Sequence, residues 1–457
     1  MKAFLLLLVL FASSIFLGCD CKSGNEAEAR RGSGAAPEAG TSRGSGATPE
    51  TGTSRGSGVI RETGKNRETC RKLENTKRKV KGLPLGVKDK GVFSRFDSKI
   101  RVEVPPYVTK ESTSLLVNKA GKVLVLYYKK TPIKAYPIAL GFTPKGDKKK
   151  RGDGRTPEGD YYICEVLHKN LASRYGARSL RLSYPNTEDA RRGRRGGLIT
   201  DKQFQAVRSA IKSKKTPPQN TALGSSLRIH GGGVKKNWTA GCVAMRDPDI
   251  VEIYKVVGLK TPVQVRPSST PNDRDKDAIP DSLDILMGAK KLVANGAAYK
   301  GGYIRLTYPM GDVPENMGVC SDVIVRAFRN AGYDLQKLIY KDSQRHRKRY
   351  PGIWRGGKRP DRSIDHRRVN NLLPYFSAHF KLINRKIGDH NRATLLPGDI
   401  VFMDTLNRAG PSHVGIISNI LGKNGYPKVI NNWTVGYKTS EMELLPHIPV
   451  THHFRIN

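Results

Sequence analysis

Two stretches of this 457-residue chain hold side chains with chemistry to offer. The first is His230-Gly231-Gly232-Gly233, followed by Trp238-Thr239-Ala240-Gly241-Cys242. A thiol needs a base or a neighbouring positive group to become a thiolate near neutral pH. His230 lies twelve residues before Cys242, and a return loop of that length can bring the two together. Gly231 to Gly233 would let backbone N–H groups approach a substrate carbonyl. Gly241 would leave the Cys242 amide free to help hold an oxyanion. The second set is Cys320, His413 and Asn431. A cysteine, a histidine and an asparagine in that order suit a thiol nucleophile, its base and a residue that orients the base. Cys320 opens a helical pattern with Val319, Val323, Ala327 and Phe328 on its apolar face. A cysteine there sits among unpaired N–H groups at the positive dipole end, which predicts a lowered pKa.

The elements that must position these residues begin near Glu111. Leu115-Leu116-Val117, a turn over Asn118-Lys119-Ala120-Gly121, and Val123 to Tyr128 predict a β-hairpin. Further short strands are expected at Pro132 to Leu140, Tyr161 to Ile163, Leu180 to Leu182, Leu227 to Ile229 and Val263 to Val265. Asp247-Pro248 opens a helix carrying Ile250, Ile253, Tyr254 and Val257, with Asp as N-cap and Pro at the first helical position. This part reads as mainly β with small helices, over residues 106–267. Residues 268–282 are polar, hold Pro271, Asn272, Asp273 and Pro280, and read as a linker. From Leu283 a helix with Leu286 and Leu292 is followed by a second helix near Val319. Strands are then expected at Ile400 to Phe402, His413 to Ile417 and Val429-Ile430. Helices first and antiparallel strands after suggest an α+β domain over 283–457.

The residues before these domains are different in kind. Arg-Gly-Ser-Gly recurs at Arg31, Arg43 and Arg55, a period of twelve, in units rich in Gly, Ser, Thr, Pro and Glu. No unit has an apolar face, so residues 19–105 read as a disordered tether with an end-to-end distance of roughly 50 Å. At the start, Met1-Lys2 precede a short apolar run from Ala3 to Phe16 that ends in Leu17-Gly18-Cys19. This is the layout of a signal peptide over 1–18. It resembles the bacterial lipobox, in which the cysteine is lipidated, although Phe16 stands where Leu is common. On this reading the protein is exported and lipid-anchored to a bacterial membrane through Cys19, facing the periplasm or wall; a plain secretory peptide is the alternative, and it too exports the chain. Lys+Arg number 81 and Asp+Glu 40, a formal charge of +41. Such an excess favours a polyanionic partner. Nucleic acid is set aside because the chain is exported and its Lys and Arg are spread over tether and both domains. The six cysteines show no regular framework, so disulfides among Cys21, Cys70 and Cys164 stay open.

His230-Gly231 followed by Thr239-Ala240-Gly241-Cys242 resembles the signature of the YkuD-type L,D-transpeptidases. Gly141, Thr156-Pro157-Glu158-Gly159 and Ser183-Tyr184-Pro185-Asn186 agree with that family in order. Ala240 stands where a basic or imidazole residue is usual, and Ala244 where Arg is common. A subgroup with Trp-Thr-x-Gly-Cys-x-Ala is closer. The resemblance implies that Cys242 attacks the carbonyl of the L-centre of a diamino acid in a peptidoglycan stem, with His230 as base. Thr239 and Gly241 would shape the oxyanion pocket, and Gly231, Gly232 and Trp238 the substrate site. It implies neither a metal nor an organic cofactor, and stem peptides as partners. An amine would resolve the acyl-enzyme to a crosslink, or water to a shortened stem.

Gly311-Asp312-Val313-Pro314, Gly318-Val319-Cys320-Ser321-Asp322, Ile364-Asp365-His366-Arg367-Arg368, Pro397-Gly398-Asp399 and His413 resemble an uncharacterised bacterial family allied to the NlpC-type papain-like peptidases. The resemblance implies Cys320 as nucleophile, His413 as base and Asn431 as orienting residue, with Asn432 as the other candidate. Asp365 and His366 serve either that site or the fold. His346 falls in an Arg/Lys-rich run that reads as a solvated face, and His452-His453 is too isolated to propose a metal. Three functions therefore stand: a transpeptidase fused to a hydrolase, a hydrolase at Cys242 that trims stems or releases wall-linked proteins, and a silent wall-binding lipoprotein.

Overall fold

The computed structural model describes residues 100, 102–168, 171–355, 359–408 and 410–456. The signal peptide, Cys19, Cys21, Cys70 and the tether through residue 99 lie outside the described residues. The first sheet has eight strands: β1 (Thr113–Asn118), β2 (Val123–Tyr128), β3 (Thr131–Pro137), β4 (Gly159–Leu167), β5 (Ser179–Leu182), β6 (Arg228–His230), β7 (Val243–Ala244) and β8 (Pro262–Arg266). Their spatial order is β3-β2-β1-β8-β4-β5-β6-β7. The expected hairpin is present, with Asn118 paired to Val123 across its turn. Neighbours are antiparallel except β1 with β8 and β6 with β7. Between β5 and β6 run α1 (Thr187–Arg195) and α2 (Asp201–Lys212), and before β8 runs α3 (Asp247–Val256).

Leu115, Val117, Leu124, Leu126 and Tyr136 face one core, with Ile163, Leu180, Ile229 and Val263. Their strand neighbours Leu116, Val123, Val125 and Ala135 face a second core, with Leu283, Leu286, Ile324 and Phe328. Alternate residues of a strand point to opposite faces, so β1 to β3 are buried on both sides. That is why Leu115-Leu116-Val117 and Val123 to Leu126 are continuous apolar runs rather than alternating ones.

The rest of the chain is α+β. Four longer helices, α4 (Asp281–Asn295), α5 (Cys320–Asn330), α6 (Leu335–Arg345) and α7 (Val369–His379), precede the main strands. Short β9 (Ala298–Tyr299) and β10 (Met317–Gly318) pair in parallel. A second sheet follows: β11 (Lys381–Asn384), β12 (Ile400–Met403), β13 (His413–Leu421), β14 (Pro427–Asn431), β15 (Ser440–Met442) and β16 (Val450–Arg455). Its order is β11-β16-β12-β13-β14-β15, antiparallel throughout. The last strand is thus inserted between the edge strand β11 and β12.

Two expected boundaries differ in detail. Val102 and Val104, expected in the tether, pack against the second and first core respectively. The Asn419 amide also donates to the Glu103 carbonyl at 2.7 Å. The expected linker carries buried Ala278 and Ile279, and α4 starts at Asp281 rather than Leu283. Val102, Ala278 and Ile279 join the second core and Val104 the first, while residues 268–277 stay exposed or half-buried. Among the described residues, no helix is long and apolar enough to cross a membrane.

Candidate active sites

The first site forms between the end of β6, at His230, and the start of β7, which Cys242 immediately precedes. Their parallel register pairs Ile229 with Val243 and His230 with Ala244. Cys242 is therefore level with Arg228, on the face that Arg228 shares with His230. The loop between the strands is held by its own residues. Thr239 Oγ1 donates to the Cys242 carbonyl at 2.7 Å and accepts the Gly241 N–H at 3.2 Å. Residues 139–142 clamp both arms: Ala139 bridges Ala244, and Gly141 bridges Thr239. Thr156 Oγ1 accepts the Gly141 N–H at 3.0 Å. The motif pieces Gly141 and Thr156 thus serve the cysteine loop directly. Ser183 accepts the Tyr162 N–H, and Asn186 caps α1, so the third motif piece acts on the surrounding scaffold.

Gly241 has φ +131, and a Cβ there would lie 2.6 Å from the Arg155 carbonyl oxygen. Gly241→Ala is expected to cost about 2–4 kcal/mol, from backbone strain plus overpacking. Thermal unfolding of the two proteins side by side checks this, and an unchanged midpoint would refute it.

His230 is fully enclosed. Its Nδ1 lies 2.7 Å from the Gly231 carbonyl, which can only accept, so Nδ1 carries the proton and Nε2 keeps a lone pair. Tyr175 and Trp238 meet the imidazole edge-on, at 5.1 and 5.6 Å between ring centroids. Trp238 Nε1 donates to the Gly233 carbonyl at 3.1 Å. The expectation that Gly231 to Gly233 offer N–H groups to a substrate is overturned. Gly231 N–H donates to the Tyr175 carbonyl, Gly232 N–H to Asp247 Oδ1 and Gly233 N–H to the Met245 carbonyl. The glycines instead permit close approach, since a Cβ on Gly231 would sit 2.0 Å from Asp247 Oδ1. Asp247 is also not the helix cap expected of it. Its Oδ1 is spent on the Ala177 and Gly232 amides, and Arg246 takes the N-cap position.

The electrostatics favour an uncharged pair at rest. Burial pulls the His230 pKa down to about 4, with Arg228 and Arg174 adding repulsion against its proton. Burial pushes the Cys242 thiol up, opposed by a hydrogen bond from the Arg228 backbone and by the charges of Arg228, Lys148 and Arg174. Desolvation thus outweighs the neighbouring cations at Cys242. The Cys242 Sγ points to the Ser226 carbonyl at 3.9 Å. Arg228, Tyr175, Asp247 and Arg174 are the residues that sequence reasoning passed over. Only Arg228, two residues before His230 on one strand face, left a signal.

The second site lies where α5 meets the second sheet. Cys320 is the first residue of α5, His413 the first of β13 and Asn431 the last of β14. His413 Nε2 lies 3.1 Å from Asn431 Oδ1, which selects Asn431 over Asn432 as the orienting residue. The Asn432 amide instead donates to the carbonyls of Ala297 and Gly318. Trp433 covers the imidazole edge-on at 4.9 Å. The expected lowering of the Cys320 pKa does not occur. Burial pushes the thiol up to about 12, outweighing a hydrogen bond from the Val414 backbone, and pulls His413 down to about 4.

The remaining motif pieces of this half build the fold. Asp322 accepts the Val319 N–H at 2.8 Å and pairs with Arg367 through both oxygens, at 2.7 and 3.0 Å. Asp312 pairs with Arg326 and Arg329. Asp399 receives His453 at 2.8 Å and Arg455 at 2.7 Å. Asp365 accepts the Asp361 N–H within its own turn, and buried His366 faces the charges of Asp322, Arg329 and Arg367. Cys164, Cys242 and Cys320 are free thiols.

For a metal, the described residues offer Asp273, Asp275 and Asp277, whose carboxylate oxygens lie within 4.8 Å of one another. Both oxygens of Asp273 also accept backbone N–H groups, from Asp277 and Ala278.

Comparison with known proteins agrees with this division. Residues 112–265 match the L,D-transpeptidase catalytic domain family, YkuD, and residues 286–456 match a domain of unknown function, DUF1287. The chain therefore carries a β-rich YkuD-type catalytic domain followed by a DUF1287 domain. The uncharacterised protein YijF of Escherichia coli (strain K12) is 39% identical over 174 residues, which cover 38% of this chain and 81% of that protein. The chain belongs to the family of YijF. Among solved structures it is similar to a point mutant of the helical cell shape determining protein Pgp2 from Campylobacter jejuni, at 15% identity and TM-score 0.25, covering 57% of this chain and 66% of that one. Bdellovibrio bacteriovorus Bd1075 follows at 18% identity and TM-score 0.25, covering 44% and 69%. The L,D-transpeptidase from Mycobacterium smegmatis is 8% identical with TM-score 0.20, covering 34% and 58%. The chain thus spans about two thirds or less of these structures, and TM-scores this low carry no weight.

Proposed function

We propose that the protein remodels peptidoglycan, with Cys242 as acyl-accepting nucleophile and His230 as general base. The observation that supports this most is the fixed tautomer of His230. Its Nδ1–H is committed to the Gly231 carbonyl, so the lone pair sits on Nε2, on the strand face shared with Cys242. A backbone carbonyl here takes the orienting part that a carboxylate plays in other triads.

The steps follow from that arrangement. Nε2 takes the Cys242 proton as sulfur bonds to a stem carbonyl carbon. The tetrahedral intermediate collapses, and the departing D-alanine amine takes the proton from Nε2. An acceptor amine then attacks the thioester, gives its proton to Nε2, and the sulfur leaves and recovers it. Thr239 and Gly241 hold the loop so that the Cys242 N–H faces the oxyanion. With both groups uncharged at rest, proton transfer accompanies attack.

The two pKa shifts set the pH dependence of the free thiol. The Cys242 thiol lies above its ordinary range, so its thiolate fraction grows tenfold per pH unit through neutrality. His230 at about 4 stays neutral throughout and adds no titration there. Alkylation of Cys242 by iodoacetamide should climb from pH 7 to 9 without a plateau. A plateau near neutral pH, read by peptide mass spectrometry, would show a preformed thiolate instead.

For the C-terminal half we infer a papain-like thiol hydrolase acting on cell-wall peptides. The imidazole–carboxamide bond from His413 to Asn431 favours it, since it commits Nε2 to the carboxamide oxygen and leaves the lone pair on Nδ1. Its test is loss of stem cleavage in Cys320→Ala with Cys242-dependent products unchanged. Export and lipid anchorage through Cys19 belong to the same proposal. They are checked by metabolic labelling with a fatty acid in wild type and Cys19→Ala.

A further inference from the structure

We propose that Arg174 forms a carboxylate-binding subsite at the mouth of the Cys242 site. The inference rests on the reading that Cys242 acts on stem peptides only for the identity of the ligand, not for the subsite itself.

Three cations act on the Cys242 thiol: Arg228, Lys148 and Arg174. Two of them are neutralised by carboxylates of the chain. Arg228 is buried and pairs with Glu165 at 2.5 Å. Lys148 is buried and pairs with Asp153 at 2.7 Å. Arg174 differs on both counts. It is exposed, and among the described residues it makes no ion pair. Its guanidinium instead lies over the Tyr175 ring at 5.2 Å from the centroid. Tyr175 in turn packs edge-on against His230. The Arg174 carbonyl oxygen lies 3.1 Å from where a Cβ on Gly232 would be, so its turn abuts the glycine loop. The charge of Arg174 acts on both His230 and Cys242, so it lies within electrostatic reach of the reacting groups.

A guanidinium held by an aromatic face keeps its in-plane N–H fork free, the geometry that matches a carboxylate. A short Ser173–Tyr175 turn presents it at the rim. Leaving such a cation unpaired next to a nucleophile favours anionic acyl donors over neutral ones. A stem offers carboxylates from two sources, its terminal residue and the side chain of its diamino acid.

The test needs no knowledge of the substrate. Cys242 of the full chain is alkylated at pH 9 and low ionic strength with iodoacetate and, separately, with iodoacetamide. The two reagents share their chemistry and differ in charge. Their rate ratio cancels the thiolate fraction, so a changed Cys242 pKa does not enter. Arg174→Gln should lower the iodoacetate-to-iodoacetamide ratio about 2–5-fold, the scale of an exposed ion pair. Arg174→Lys should keep part of the preference, and 0.5 M salt should erase it in the wild type. Equal ratios in wild type and Arg174→Gln would overturn the proposal.

With synthetic stems as acyl donors, Arg174→Gln should raise KM by a similar factor. Amidating either the terminal or the side-chain carboxylate identifies the source, because only the correct amide removes the difference between wild type and variant. A lowered alkylation ratio with no turnover of any stem would keep the subsite and discard the stem reading.

Discussion

Cys242→Ala should abolish every crosslink between third-position residues that the full chain forms in purified sacculi. The expected loss in single-turnover rate is at least about 10⁴-fold, because no covalent intermediate can form without the thiol. His230→Ala should come close to the same loss, and the double variant should lose little more. Residues that act as one unit are not additive. The fold should tolerate the change. Cys242 is half-buried, its Sγ contact to the Ser226 carbonyl is long, and the loop is held by Thr239 and the 139–142 clamp. Muropeptide mass spectrometry reads the result, with Cys320→Ala as the internal control that should leave these crosslinks intact. Crosslinks made by Cys242→Ala would sink the assignment. Shortened monomers in place of dimers, lost with the same variant, would keep Cys242 as nucleophile and make water the acceptor.

The nucleophiles and bases were legible in the sequence because their spacing is local or their order is informative. His230 and Cys242 are joined by one loop between adjacent strands. The hairpin from Leu115 to Tyr128 and the strand at Val263 were legible for the same reason, since apolar runs and turn residues are local signals. What the sequence could not display is which hydrogen bonds are already spent. Gly231 to Gly233 look like free donors until Tyr175, Asp247 and Met245 are seen to claim them. Asp247 before Pro248 looks like a cap until its carboxylate turns toward Ala177. Those partners lie far along the chain or on the other side of a turn.

Burial had the same effect on charge. Cys320 at a helix start implied a lowered pKa from the dipole, a local term. The core packed around it contributes a larger desolvation term of opposite sign, and that core is assembled from α4, α5 and the second sheet. The shared core also explains the linker. Ala278 and Ile279 are too few to register as apolar pattern among Asp, Pro and Asn, yet they fill space beneath β1 to β3. α1 and α2 were missed because their buried apolar anchors are few: Ala190 in the Arg-rich α1, and Phe204 and Val207 in α2.

Asp322→Ala should destabilise the protein far more than Cys320→Ala, although the two residues are neighbours in one motif. Asp322 closes the first turn of α5 through the Val319 N–H and holds the buried Arg367 by both oxygens. Removing it leaves an uncompensated guanidinium in the interior, at about 3–5 kcal/mol, and opens a helix cap worth about 1 kcal/mol. Cys320→Ala removes one sulfur from a packed site and should cost about 1 kcal/mol. Thermal or denaturant unfolding of the full chain separates the two. Replacing both charges together, Asp322→Leu with Arg367→Met, should recover much of the loss, since no unpaired charge then remains. Equal midpoints for Asp322→Ala and Cys320→Ala would contradict the pairing. The contrast divides the motif by role. Asp322 and Arg367 build the helix start on which any chemistry at Cys320 depends, while Cys320 itself is free to vary in stability terms. A strict requirement for Cys320 in stem cleavage would therefore report chemistry rather than folding.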